Sequence, residues 1–290
     1  MKICYNEANA LNCKNASLET DVEECWRSGF EAIELRFDML RAYLEQHGID
    51  ELKELFGKYP IQPTGINALY LYPELFTSRL GDDRETKLLD DLTVAGKLNE
   101  ALGLTDVIAV APLNRINEFE PYGMPWPDAK RECVRILREL SSRAREYSLR
   151  ICFETVGAPR CAVRTLRQAD EIISDVDRDN VGIVLDSYNI YQFDKSNDFS
   201  YIKQLPAEKI YVVHINDADD VELSKIRQAD RCFCGYGVID LKSFMSNVSA
   251  AGYDGIVSIE TVRPEYWAQE QRAVIREAYA TTYPIVREYL

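Results

Sequence analysis

Short apolar runs alternate with longer amphipathic stretches along this chain, and this alternation restricts the fold more than any other feature. The runs, among them VGIVLD, IYVVH and GIVSIE, consist mainly of Ile, Val and Leu. Strands have this composition when both of their faces are buried, as in parallel sheets that are covered by helices. The pattern therefore predicts an α/β fold in which helices connect the strands.

Eight runs are predicted to be strands: Lys2–Tyr5, Ala32–Arg36, Ile61–Asn67, Asp106–Ala111, Arg150–Glu154, Val181–Asp186, Ile210–His214 and Gly255–Glu260. The predicted helices are Asp21–Ser28, Asp50–Tyr59, Glu85–Leu102, Asp128–Tyr147, Thr165–Val176, Leu241–Ala251 and Trp267–Glu288. Eight strands with helices between them favour a (β/α)8 TIM barrel, and 290 residues suit one such domain over 1–290. An open doubly wound sheet is the alternative, but no Gly-rich nucleotide motif follows any predicted strand.

The charge of the chain limits the classes of partner. It carries 34 Lys and Arg against 48 Asp and Glu, a formal net charge of −14. Such a field repels phosphate backbones and acidic membrane surfaces, which argues against nucleic acid and membrane partners. No stretch approaches the roughly 18 apolar residues of a membrane span, and the start MKICYNEANALNC does not resemble a secretory signal. We therefore expect a cytoplasmic protein.

The eight cysteines are expected to be free thiols in a reducing compartment. Only Cys232 and Cys234 lie close together, as C-x-C. A zinc site would need a second pair nearby, and the sequence offers none, so we expect these thiols to bind no metal.

Polar residues end four consecutive predicted strands. The fifth to eighth strands end in Glu154, Asp186, His214 and Glu260. A TIM barrel gathers the C-terminal ends of its strands at one rim, so these side chains are expected to meet there. Three carboxylates would repel one another unless some were protonated or a cation lay between them. The sequence thus predicts a site for one divalent metal ion.

Each of the four residues also has an ordinary alternative role. A carboxylate at a strand end is commonly solvated, and His214 could be a satisfied core histidine. Their shared position on successive strands favours the metal site instead. The donors are mostly oxygen, which suits Mn, Mg or Co better than Zn. The other histidine, His47, lies in a polar stretch and is expected at the surface.

A metal ion at this rim predicts proton-transfer chemistry. An ion that binds both oxygens of an α-hydroxyketone acidifies the carbon-bound proton between them and stabilises the enediolate left when it departs. Glu154 and Glu260, on opposite sides of the ion, could each exchange a proton with one face of that intermediate. The predicted function is a metal-dependent isomerase or epimerase.

Several segments resemble a known family. They are KICYNEA at the start, INAL at 66–69, CFETVGAPRC at 152–161, DRDNVGIVLDSYN at 177–189, VVHINDADD at 212–220, DR at 230–231, GYGVIDL at 235–241 and SIETVRPEYW at 258–267. With these segments the chain resembles the xylose-isomerase-like TIM barrels, the sugar phosphate isomerase/epimerase superfamily. Within it, the chain is most similar to the inosose (2-keto-myo-inositol) isomerases of bacterial inositol catabolism.

The resemblance implies roles for particular residues. It makes the four strand-end residues metal ligands and the two glutamates the acid/base pair. It matches Arg231 to an arginine that reaches the substrate oxygens, although a surface salt bridge with Asp230 is the alternative. Glu7 and Asn67 are expected to bind substrate hydroxyls at the same rim. Arg36 is similar, but it could simply pair with a neighbouring acidic residue.

One departure from the family concerns the substrate. The family usually has D-x-x-H after the sixth strand, whereas this chain has Asn189 in place of the His, and Tyr191 where a further His is usual. Asn189 can donate and accept hydrogen bonds but cannot be protonated. The substitution leaves the predicted metal ligands intact and is expected to affect substrate choice.

Other functions of the same scaffold remain open. A lyase, such as an inosose or dehydroshikimate dehydratase or a C-glycoside deglycosidase subunit, would need an acid, for which Tyr188, Tyr191 and Tyr236 are candidates. A non-catalytic subunit would be expected to lack part of the quartet. The abasic-site endonucleases of the superfamily use more histidines than the two found here. The expected partner is a small keto-sugar or inosose, with a second copy or a second subunit as a further partner.

Overall fold

The computed structural model describes residues 1–114 and 116–290, and within them eight parallel strands close into a barrel. The strands, in chain order, are β1 (Lys2–Asn6), β2 (Ala32–Arg36), β3 (Gln62–Tyr70), β4 (Asp106–Val110), β5 (Arg150–Glu154), β6 (Val181–Asp186), β7 (Ile210–Ile215), β8 (Asp217–Ala218), β9 (Arg231–Cys232) and β10 (Ile256–Ile259). β1 to β7 and β10 form the barrel, while β8 and β9 pair as an antiparallel ribbon. The predicted TIM barrel is confirmed.

Helices follow the barrel strands and pack around them. They are α1 (Leu18–Ser28), α2 (Phe37–Leu44), α3 (Ile49–Lys58), α4 (Arg84–Leu102), α5 (Trp126–Arg145), α6 (Leu166–Val176), α7 (Ser187–Gln192), α8 (Leu241–Ala250), α9 (Pro264–Trp267) and α10 (Gln271–Val286). Three of these, α2, α7 and the four-residue α9, were not predicted. Each begins within five residues of the end of a strand, and none is long enough to show its own helical spacing of apolar residues.

Local signals explain where several helices begin and end. The Ser17 hydroxyl accepts the N–H of Thr20 at 3.2 Å and caps α1, which ends at Gly29 with φ of 107°, a conformation that favours glycine. The prediction that Asp128 caps a helix is wrong, because α5 begins two residues earlier, with Pro125 at its N-cap. Pro284 lies inside α10 and does not divide it.

Strand register brings the predicted site residues to one rim. Asp186 on β6 is the partner of His214 on β7, and Val110 on β4 is the partner of Glu154 on β5. The expected loop over Pro112–Pro127 connects β4 to α5, and its residue 115 lies outside the described residues. All eight cysteines are buried free thiols, and burial raises the pKa of Cys234 to about 12. Among the described helices, none combines the length and apolarity that a membrane crossing needs.

Candidate metal centre

Four potential metal ligands converge at the C-terminal rim of the barrel. Glu154 and Asp186 are the last residues of β5 and β6, His214 lies next to the end of β7, and Glu260 follows β10 directly. All four side chains are buried, and one ligand atom from each lies within 4.8 Å of the others. Residues that are far apart in sequence thus form a single cluster because parallel strands end together.

One ring nitrogen of His214 faces the three carboxylates. Its Nδ1 lies 3.2 Å from Glu154 Oε1, 3.3 Å from Glu260 Oε2 and 3.8 Å from Asp186 Oδ2. Burial by itself would lower the pKa of His214, but the surrounding carboxylates outweigh it and raise this pKa well above its usual value. The cluster therefore attracts positive charge at its centre, and its donors fit a divalent ion.

Glu34 holds the other nitrogen of this imidazole. The carboxylate oxygens of Glu34, in the middle of β2, lie 3.0 and 3.2 Å from His214 Nε2. Burial raises the pKa of Glu34, but the charge and hydrogen bond of His214 reverse this effect, so that the pKa is lowered. With an ion bound, a proton on Nε2 donated to Glu34 would leave the Nδ1 lone pair available to that ion. This is the arrangement in which a carboxylate orients a metal-binding histidine.

The sequence analysis missed this role of Glu34, although the run AIELR carried a signal for it. A charged residue in the middle of a strand that is buried on both faces needs a partner. Glu34 is 0% exposed. What the sequence could not identify was the partner, which lies 180 positions away in the chain.

Glu154 is a buried carboxyl group whose acidity depends on the charges around it. Burial raises its pKa from the usual range to about 7, His214 opposes this shift, and the charges of Glu260 and Asp186 add to it. Asn189 Nδ2 donates to Glu154 Oε1 at 3.3 Å. A cation bound in the cluster would lower this pKa again, because it favours the carboxylate form.

Arg231 lies inside the cluster rather than at the surface. Its Nη1 donates to Asp186 Oδ2 at 2.9 Å and to Glu260 Oε2 at 2.8 Å, and the residue is 3% exposed. Burial disfavours the charged guanidinium, but these two carboxylates outweigh that effect and raise its pKa. The alternative pairing with Asp230 is not formed, because the Asp230 carboxylate accepts the backbone N–H of Arg227.

Asn189 connects the same groups from the start of α7. Its Oδ1 accepts from Arg231 Nη2 at 3.2 Å and from Gln228 Nε2 at 3.1 Å, and its backbone N–H donates to Asp186 Oδ1 at 2.7 Å. Gln228 was not predicted from the sequence. It lies in the short 3-10 helix Gln228–Asp230 of the insert that follows β7, where no local pattern marks its side chain.

Asn67 also reaches the cluster, whereas Glu7 does not. Asn67 Nδ2 donates to Glu260 Oε1 at 3.0 Å and to Glu34 Oε1 at 3.2 Å. Glu7 is fully buried, and its Oε2 accepts the backbone N–H of Arg36 at 2.6 Å. The structure thus does not bring Glu7 to the cavity above the cluster, because the chain turns into the 3-10 helix Glu7–Asn9 directly after β1.

A cavity of about 300 Å³ lies above the cluster. Glu154 and Glu260 form part of its wall. The rest of its polar wall consists of one tyrosine and of amide and guanidinium side chains, from Tyr70, Asn67, Asn189, Gln228, Arg36, Arg160 and Arg231. A wider groove of about 940 Å³ runs along the outer face of α5, but the potential metal ligands lie at the rim and not in this groove. The smaller cavity is therefore the one that contains potential metal ligands, Glu154 and Glu260.

Comparison with known proteins identifies relatives over the whole length of the chain. A family model described as xylose isomerase-like TIM barrel matches residues 22–278. The chain is 32% identical over 290 residues to an inosose isomerase of Halalkalibacterium halodurans, covering 100% of this chain and 98% of that protein. A crystal structure of the IolI protein with a binding zinc atom has a TM-score of 0.87 and 33% identity, and the match covers 100% of this chain and 99% of that one.

A further relative matches only part of the chain. A 3-dehydroshikimate dehydratase of Pseudomonas aeruginosa is 35% identical over 139 residues, which are 47% of this chain and 22% of that protein. The family model and the full-length relative agree with the closed barrel and with the resemblance found in the sequence. On these grounds the chain belongs to the xylose isomerase-like TIM barrel family.

Proposed function

We propose that this protein is a divalent-metal-dependent isomerase of an inosose, a keto-cyclitol. The observation that carries the proposal is the convergence of Glu154, Asp186, His214 and Glu260 at the base of an open cavity. The full-length similarity to an inosose isomerase supports the same class of substrate.

The ion would be held by those four side chains, with His214 fixed from behind by Glu34. When bound, a divalent ion polarises a ketone and its neighbouring hydroxyl and so acidifies the carbon-bound proton between them. The oxygen-rich donor set favours Mn, Mg or Co. Zinc is the ion named for the solved relative, so the four metals need to be compared directly.

The two glutamates would carry the proton. Glu154, as a carboxylate with one oxygen on the ion, would take a proton from carbon on its other oxygen and return it. Glu260 Oε2 and Glu154 Oε1 lie 3.3 and 3.2 Å from His214 Nδ1. The two carboxylate oxygens of Glu260 accept hydrogen bonds from Asn67 and Arg231. An isomerase needs both groups, because the proton removed from one carbon returns to another carbon or to the opposite face.

The remaining polar groups of the cavity would bind the substrate. Arg231 would bind substrate oxygens by giving up its present acceptors Gln228 and Asn189 while it stays paired with Asp186. Asn189 offers an amide at the position where the family usually has a histidine. These contacts fit a neutral, polyhydroxylated ring better than an apolar ligand.

A lyase on the same scaffold is the second candidate, and the partial match to a dehydroshikimate dehydratase is what favours it. The three tyrosines considered as its acid are not placed for that role. Tyr188 donates its hydroxyl to the backbone carbonyl of Arg227, and Tyr236 is exposed and donates to Glu277 on α10. Tyr191 is likewise not part of the cavity wall. These positions remove the three tyrosines as acids of a lyase, and Tyr70, which lines the cavity, is the tyrosine that a lyase would use.

The proposal is tested by incubating the metal-loaded protein with a panel of inososes and ketoses in deuterated water. We expect deuterium at the carbon next to the ketone and a second inosose as the product. The panel is run with Mn, Mg, Co and Zn in parallel. Accumulation of an unsaturated product would establish the lyase instead, and the absence of exchange with every inosose and metal would rule out the proposed function.

A further inference from the structure

We propose that Arg36 and Arg160 determine substrate specificity by binding hydroxyl groups of a neutral ring on the side away from its ketone. The inference rests on the proposed function, because it names what the same cavity recognises in its substrate. Both guanidinium groups line the cavity above the metal-binding cluster.

Arg36 is held in the cavity wall with unused hydrogen-bonding capacity. It is the last residue of β2, and its backbone N–H is fixed by Glu7 Oε2 at 2.6 Å. The side chain is 13% exposed. Its Nε is buried and has no hydrogen-bond partner among the described residues, and its ion pair with Asp38 spans 3.9 Å from Nη2 to the carboxylate.

Arg160 has the same features as Arg36 but lies in a different part of the chain. It lies in the loop after β5, where its backbone carbonyl accepts the N–H of Asn114 at 2.8 Å. The side chain is 14% exposed, and its Nη2 lies 3.4 Å from Glu118. In the part of the chain that the structure describes, its Nε has no hydrogen-bond partner. Two arginines from different loops thus line one cavity with donors that the protein leaves unsatisfied.

Such donors are unfavourable unless a ligand uses them. A buried N–H that has lost its water without gaining an acceptor destabilises the protein, and a bound oxygen removes that penalty. A small rotation of either guanidinium group would present Nε and Nη to two neighbouring oxygens of a ring. Arg36 and Arg160 differ here from Arg231, whose donors are already taken by Asp186, Glu260 and Asn189.

The charges around the two arginines favour a neutral ligand. Each has one carboxylate within 4 Å, and Arg231 has two, so the cavity wall has little positive charge to offer an anion. Neither Arg36 nor Arg160 has its ion-pair partner in the metal-binding cluster. We therefore assign them to ring oxygens other than those that the ion would hold. A volume of about 300 Å³ lies at the small end of ligand cavities and suits a single ring.

The experiment compares an inosose with analogues that each lack one hydroxyl remote from the ketone. Arg36→Met and Arg160→Met are assayed beside the wild type, with Arg131→Met, on the outer face of α5, as the matched control. We expect each cavity variant to lose about tenfold to a hundredfold in kcat/KM for the inosose, mainly through KM, and to discriminate less against one analogue by a similar factor. Metal content should stay at the wild-type level. Arg36→Lys and Arg160→Lys, which keep the charge, replace any Met variant that does not fold.

Equilibrium binding of myo-inositol, an unreactive neutral cyclitol, separates this inference from the proposed function. If the wild type isomerises an inosose, and the variants discriminate between the inosose and its analogues to the same extent as the wild type, the inference is wrong and the proposed function stands. If myo-inositol binds the wild type and not the variants, but no inosose reacts, the function is wrong and the inference stands. Tighter, arginine-dependent binding of a ring carboxylate such as shikimate would overturn the assignment to a neutral ligand.

Discussion

The carboxylates of the metal-binding cluster and the pair formed by Glu7 and Asp21 are similarly buried, but they are stabilised in different ways. In the cluster, each carboxylate faces His214 Nδ1, and Arg231 donates to two of them. In the pair, Glu7 Oε1 and both oxygens of Asp21 have no hydrogen-bond partner among the residues that the structure describes. Burial raises the pKa of Asp21 to about 7, and burial together with Asp21 raises that of Glu7 well above its usual value.

The difference shows two ways in which one barrel accommodates buried acid groups. Side chains that converge from four strands can share a cation, whereas two neighbouring side chains with few donors reduce their charge by retaining a proton. The first arrangement is suited to bind a metal ion. The second makes stability depend on pH.

The largest expected effect is the loss of metal from the cluster in His214→Ala. Wild-type protein purified without chelator should contain about one divalent ion per chain, because four ligands converge on one point. The variant should keep its circular dichroism spectrum but contain much less metal by elemental analysis. His47→Ala is the matched control, since His47 pairs with Glu19 and Glu51 at the surface. Full metal occupancy in His214→Ala would disprove the site.

Replacing either glutamate of the cluster should abolish proton transfer while keeping the size of the side chain. Glu154→Gln and Glu260→Gln are each expected to lower turnover on the order of 10²-fold or more, measured at saturating metal. Glu139→Gln, on the outer side of α5, serves as the control. If one of the cluster variants keeps near-normal turnover, the two-glutamate mechanism is wrong.

Glu34→Gln tests whether orientation of the imidazole matters to the cluster. The amide keeps one acceptor for His214 Nε2 but removes the negative charge behind the ring. We expect metal affinity to fall by about tenfold to a hundredfold, measured by competition with a chelator. Glu45→Gln, at the exposed end of α2, should not change it. If metal affinity is unchanged in Glu34→Gln, the charge of Glu34 does not contribute to metal binding by His214.

A smaller effect is expected at the edge of the cluster in Asn189→His. Asn189 contacts Glu154 and Arg231, which face the cavity. The variant should change the ratio of kcat/KM between inososes and ketoses by about tenfold while changing metal affinity less. If Asn189→His lowered kcat/KM and metal affinity in parallel, residue 189 would belong to the metal-binding groups.

The smallest effect, a few degrees in melting temperature, is expected at the Glu7–Asp21 pair in Asp21→Asn. The pKa of Asp21 is about 7 in the folded protein and about 3.9 in an unfolded chain. The folded state therefore binds this proton more tightly than the unfolded chain does. The resulting contribution to the free energy of unfolding is complete below about pH 4 and is lost as the pH rises through about 7. Asn cannot ionise, so the variant should gain stability relative to wild type at pH 8 and gain less at pH 5.

Melting curves at both pH values provide the measurement for this prediction. Asp254→Asn, at an exposed turn before β10, is the control for loss of one negative charge. A gain that is equal at pH 5 and pH 8 would mean that Asp21 does not carry a shifted pKa. Turnover should be unaffected if the pair is independent of the cluster.

Most of the barrel was predictable because its signals are local. β2, β5 and β6 were predicted with the bounds that the structure has, since each is an apolar run bounded by polar or turn residues. α2 and α7 were missed because they begin directly after strands and are short. The convergence of Glu154, Asp186, His214 and Glu260 also followed from the sequence, because consecutive parallel strands end at the same rim.

What the sequence determined by itself is therefore the barrel and the four residues that meet at its rim. Only the tertiary structure decided which other polar residues join them. Asn67 reaches the cluster and Glu7 does not, although both follow the ends of strands, because the chain after β1 turns Glu7 towards Asp21. Glu34, Gln228 and Arg160 depend on contacts between distant parts of the chain. Apolar periodicity reports which face of a strand or helix is buried, but it carries no information about the partner that a buried polar group will meet across the barrel.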